Sequence, residues 1–177
     1  MKKIALALTT AALLASASMA SEFTTLKIGY EHASIGDNIT GNGGVVGLDW
    51  MMPTTYLGNG TTTGIEIGFG LDFDIYQAKD DTTNDTDLYG GGDAKLLVGY
   101  RYENFSIDGG VGYGYTKVAD SSYLLGMTYH AQAKYFFTDK YGMEVSYKGG
   151  DMSLETSAGS APDVSTSYVG VSFIWKN

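Results

Sequence analysis

Thr63-Gly64-Ile65-Glu66-Ile67-Gly68-Phe69-Gly70-Leu71-Asp72-Phe73-Asp74-Ile75-Tyr76 decides the fold. Ile65, Ile67, Phe69, Leu71, Phe73 and Ile75 fall on one side of a period of two, and Gly64, Glu66, Gly68, Gly70, Asp72 and Asp74 on the other. Successive side chains of a strand point to opposite faces, so the run reads as one long strand and not as a helix. Its two faces differ in bulk as well as polarity.

The same period recurs along the chain. Phe105, Ile107, Val111, Tyr113 and Tyr115 alternate with Ser106, Asp108, Gly110, Gly112 and Gly114. Tyr123, Leu125, Met127, Tyr129, Ala131, Ala133 and Tyr135 alternate with a row that includes Thr128, His130, Gln132 and Lys134. Tyr141, Met143, Val145 and Tyr147 oppose Gly142, Glu144, Ser146 and Lys148, and Val169, Val171, Phe173 and Trp175 oppose Gly170 and Ser172. Shorter runs hold Leu26, Ile28 and Tyr30; Val46, Leu48, Trp50 and Met52; and Ala94, Leu96, Val98, Tyr100 and Tyr102, with Leu97 out of phase. Eight antiparallel strands are expected. Residues 33–43, 79–88, 117–122 and 149–164 read as polar loops, 103–104 and 138–140 as tight turns, and 53–62 as a long connection where a short one is due.

Composition narrows the class. The 177 residues contain no Cys, 2 Pro, 25 Gly and 14 Tyr, with 11 Lys+Arg against 20 Asp+Glu. No disulfide framework or Cys-ligated metal is available, and an acidic chain is a poor nucleic-acid binder. Lys2 and Lys3 precede an apolar run at 4–14 and small residues at 16–20, the pattern of a cleaved export signal over residues 1–20. Eleven apolar residues are too few to cross a ~30 Å hydrocarbon core as a helix. Its removal takes Lys2 and Lys3 and no acid, moving the formal net charge from −9 to −11. Residues 21–177 are then expected to form one domain.

Bulk decides which face points out. Eight strands close around an interior just wide enough for side chains, so the smaller face belongs inside. Here the small and charged residues share one face, and Ile, Leu, Phe, Tyr and Trp share the other. The fold expected is therefore an all-β, eight-stranded antiparallel up-and-down transmembrane β-barrel, with lipid on the bulky face. Trp50, Tyr100, Tyr102, Tyr113, Tyr115, Tyr135, Tyr141 and Trp175 lie near strand ends, where interfacial aromatic girdles are expected. The terminal strand Tyr168-Val169-Gly170-Val171-Ser172-Phe173-Ile174-Trp175, the signal and the amphipathic strands together resemble the small OmpA/OmpX-type outer-membrane barrels of Gram-negative bacteria. That resemblance implies an integral outer-membrane monomer, delivered by the barrel-assembly machinery and surrounded by lipopolysaccharide. It implies no cofactor. A role in envelope structure or in adhesion or ligand contact through surface loops is expected, with a narrow porin-like ion channel as the alternative.

Three groups of residues could carry chemistry. By parity the lumen holds Lys27, Glu31, Asp49, Glu66, Asp72, Asp74, Lys95, Arg101, Asp108, His130, Lys134, Glu144 and Lys148, which reads as an ion-pair network plugging the interior. His32 and Ser34 share one strand face, the beginning of a base and nucleophile pair, and resemble the His-x-Ser pair of lipid A deacylase barrels. An enzyme is not the expected outcome, because no orienting acid or oxyanion site accompanies them in the sequence. Asp80, Asp81, Asp85 and Asp87 offer oxygen ligands for a divalent cation but lack the Gly and terminal Glu of a calcium loop, so a hydrated loop is expected there.

Overall fold

The computed structural model describes residues 24–53, 63–119, 122–156 and 159–176. The export signal and most of the 53–62 connection lie outside them. The described strands are β1 (Thr24–Ile35), β2 (Ile39–Pro53), β3 (Gly64–Asp80), β4 (Thr86–Tyr102), β5 (Phe105–Ala119), β6 (Ser122–Phe136), β7 (Tyr141–Thr156) and β8 (Gly159–Lys176). Each pairs antiparallel with the next, and β8 pairs back to β1 through Ile28↔Phe173 and Glu31↔Gly170, closing the barrel. Closure leaves no free edge, so every strand has a hydrogen-bonding neighbour on both sides. The 103–104 and 137–140 turns lie at the end that carries the termini.

The four segments read as polar loops are mostly strand. Only 36–38 separates β1 from β2, and only 81–85 separates β3 from β4; β5 and β6 likewise run to Ala119 and from Ser122, and β7 and β8 to Thr156 and from Gly159. The cause is a reversal of phase along the wall. In β3, Ile65, Ile67, Phe69 and Phe73 face outward and are exposed, while Glu66, Asp72 and Asp74 are buried inside. Past Ile75 the parity continues and the chemistry swaps: Tyr76 and Ala78 are buried inside, while Gln77 and Lys79 are exposed. The same exchange brings Ala33, Ile35, Tyr89, Leu124, Met152 and Tyr168 into one interior apolar cluster with Tyr76 and Ala78. Most of the wall is thus an inside-out barrel suited to lipid, and its distal part is built as a barrel in water is.

Candidate functional site in the barrel lumen

Three layers fill the interior. At the distal end the apolar cluster forms a cap in which Tyr76 meets Tyr89 and Tyr168 edge-on, with ring centroids 5.9 and 6.1 Å apart. At the termini end Met51, Leu97, Phe136 and Ile174 are buried and inward-facing. Gly68 is paired with both Met51 and Leu97, and Gly142 with both Phe136 and Ile174, so each glycine makes room for two large neighbours. The charged layer lies between.

That layer contains the residues the parity reading places in the lumen, except for Glu66 and Arg101, which lie inside the barrel on the termini side of Gly68 and Leu97. Asp49 Oδ2 receives Lys134 Nζ at 2.8 Å and Gln132 Nε2 at 2.7 Å, and Asp49 Oδ1 lies 3.0 Å from Lys95 Nζ. Lys134 also reaches Asp108 at 3.0 Å and, more distantly, its register partner Glu144 at 3.9 Å. Lys27 bridges Asp72 at 2.9 Å and Glu144 at 3.2 Å, while Lys95 meets Asp72 at 2.8 Å. Nearer the cap, Lys148 bridges Asp74 at 2.7 Å and Asp93 at 3.4 Å and sits 4.1 Å from the centre of the Tyr168 ring. Toward the termini, Arg101 Nε donates to Glu66 Oε1 at 2.5 Å and the guanidinium lies over Phe136. Glu31 is buried with Oε1 unpartnered. Charges this deep are tolerable because most are paired and hydrogen-bonded.

Asp93 is the charged member that sequence reading missed, as Gln132 is an uncharged one. It sits in β4 eight residues beyond Arg101 on the inward parity, 7% exposed, with His130 Nε2 at 2.9 Å from its Oδ2. Continuing the inward parity of Lys95 back through Asp93 and Gly91 to Tyr89 would have found it. The outward residues there are Gly92 and Gly90, so the apolar alternation that marks a strand fades.

The other candidates lie outside the lumen. Trp50, Tyr100, Tyr102, Tyr113, Tyr115, Tyr135, Tyr141 and Trp175 all occupy the outward parity, six of them plainly exposed and the two tryptophans half-buried. His32 and Ser34 also face outward, beyond the last apolar row. His32 Nδ1 is 2.9 Å from Asn42 Oδ1, which accepts the Tyr30 hydroxyl at 2.6 Å as well. An amide oxygen only accepts, so Nδ1 is the donor in this contact. Ser34 is paired in register with Thr40 and Ser167. In the acidic segment, Asp80 Oδ1 accepts the Thr82 amide at 2.8 Å and Asp81 lies 3.4 Å from Lys79, so these two carboxylates already serve the turn.

A closed eight-stranded wall with lipid-suited rows outside and ion pairs inside has a counterpart among known proteins. The sequence matches the family described as the outer membrane protein beta-barrel domain over residues 4–174. The chain belongs to this outer membrane β-barrel family. It is an integral outer-membrane protein of the Gram-negative type. No curated protein matches it in sequence. Among solved structures it is similar to Neisserial surface protein A, at 10% identity over 89% of this chain and 98% of that one, with a TM-score of 0.57. It is also similar to Ail of Yersinia pestis in complex with the heparin analogue sucrose octasulfate, at 11% identity over 85% and 97%, with a TM-score of 0.51. At these identities the likeness to either structure is one of fold.

Proposed function

We propose that this outer membrane β-barrel works through its outer surface and not through a bore, reinforcing the envelope and contacting a basic ligand with its distal rim. The filled interior carries this reading: an apolar layer at each end encloses a layer of buried ion pairs. Barrels of this kind project furthest on the extracellular side, and here the strands run on past the lipid-suited rows at the distal end, which orients that end outward. There Asp37, Asp81, Asp85, Asp87, Asp151 and Asp163 are exposed, against Lys79 and Lys117. The Ail complex holds a polysulfated ligand; an acidic rim favours the opposite charge. The test is immobilised barrel exposed to polylysine and to heparin. Polylysine is retained and released as salt rises, since screened surface charges lose their attraction; retention of heparin in preference would overturn the reading.

A second reading is a hydrolase acting on outer-leaflet lipid, and the bond from His32 to Asn42 favours it. That bond orients the imidazole, the role that a third group plays for a catalytic base. Expression of the wild type and of Ser34→Ala should leave lipid A acylation the same under the main proposal. Loss of an acyl chain with the wild type alone would establish the hydrolase instead.

A further inference from the structure

The middle of the lumen carries more acid than base. Among the described residues, eight buried carboxylates face four buried lysines and Arg101. Ionised acids in a dry interior need a counter-charge. Glu31 Oε1 and Asp74 Oδ1 are buried without a hydrogen-bond partner, in residues only 6% and 5% exposed.

The imbalance is concentrated near one point. Asp72 and Asp93 stand directly opposite each other in the β3–β4 register, and like charges so placed are destabilising. His130 reaches them from β6, and one ligand atom from each of Asp72, Asp93 and His130 lies within 4.8 Å of the other two. Lysines also contact each carboxylate: Lys95 Nζ is 2.8 Å from Asp72 Oδ2, and Lys148 Nζ is 3.4 Å from Asp93 Oδ1. Asp93 Oδ2 lies 2.9 Å from His130 Nε2, and that nitrogen is also in hydrogen-bond contact with Thr128 Oγ1. Lys148 also draws Asp74 toward the same point, 2.7 Å from its Oδ2.

We propose that Asp72, Asp93 and His130 form a binding site for one divalent first-row transition cation. One imidazole nitrogen and two carboxylate oxygens suit Zn²⁺ or Mn²⁺, whose bonds to such ligands are about 2.0–2.2 Å for zinc. Lys27 contacts both oxygens of Asp72, at 2.9 and 3.0 Å, and keeps Glu144 at 3.2 Å when a cation takes one of them. The aromatic cap above holds the bound ion away from outside water, so the ion ties β3, β4 and β6 together across the interior.

The full barrel, refolded in detergent, stripped with a chelator and checked for heat-modifiable migration, is titrated with zinc chloride by calorimetry. One Zn²⁺ per barrel is expected, bound at least tenfold more weakly by His130→Ala and Asp93→Asn. Should those variants fail to fold, the wild type still decides, because the chain has only two histidines. Zinc should move the imidazole NMR signals of His130 and leave those of His32 in place. No binding to the wild type, undiminished binding in folded His130→Ala, or zinc shifts confined to His32 would each overturn the proposal.

Discussion

At the scale of the residue, glycine separates the two faces of the wall most sharply. Gly109 and Gly110 are adjacent in β5, yet a side chain at each meets different surroundings. A Cβ at Gly110 would lie 2.0 Å from the Leu96 carbonyl oxygen and 2.9 Å from the Leu97 side chain; one at Gly109 has only the His130 carbonyl, at 3.7 Å. Gly110→Val should therefore abolish the heat-modifiable form on gels, whereas Gly109→Val, directed at lipid, should fold as the wild type does. The inward charges were legible one by one, because parity alone assigns Lys27, Glu66, Asp108 or Lys134 to the lumen once the outer face is known. Their partners were not. Asp49 and Lys134 are 85 residues apart, and only closure of the ring brings such side chains together. Asn42 was hidden for a related reason: its bond to His32 depends on the β1–β2 register, within a stretch that polarity alone marks as loop.

At the scale of the element, hydrophobic alternation marks a strand only while its outer face meets lipid. β3 shows the limit. Leu71 and Gln77 share the outward parity, six residues apart, but Leu71 lies within the apolar band and Gln77 beyond it. A lysine on the lipid face of a barrel costs about 2–4 kcal/mol at the membrane midplane and about 0–1 near the interface. Leu71→Lys should lower stability to urea in vesicles by an amount in the upper range, and Gln77→Lys should leave it nearly unchanged. Equal losses at both positions would mean that lipid covers the whole height of β3. The membrane-facing part of each strand was thus readable from the chain, and the projecting part was read as loop because polar residues moved outward while Tyr76, Tyr168, Leu124 and Met152 moved in.

At the scale of the whole molecule, closure and filling act together. The β1–β8 pairing completes a ring whose interior has ion pairs in the middle and bulky apolar side chains at both ends. Purified barrel in planar bilayers should give no unitary conductance across salt and voltage. Steps that persist after repurification would show that the caps open and would restore the channel alternative. The fold class was legible at this scale because bulk and polarity agree along all eight strands. The layering of the lumen was not, since it depends on which inward residues come to share a level in the closed ring.

The reversal of phase along the wall also sets how deep the molecule rides. A barrel that is apolar outside over its full height could bob in the bilayer or tilt with little penalty. This one has a waterline: Ile75 below it and Gln77 above it in β3, Tyr30 below and His32 above in β1. Sinking by one outward residue, about 6.6 Å of strand, would drag His32, Asn42 and Gln77 into hydrocarbon, and rising by the same step would lift Tyr30 and Ile75 into water. The draught is written into the strands themselves, so the distal rim stands at a fixed height above the lipid whatever it meets there.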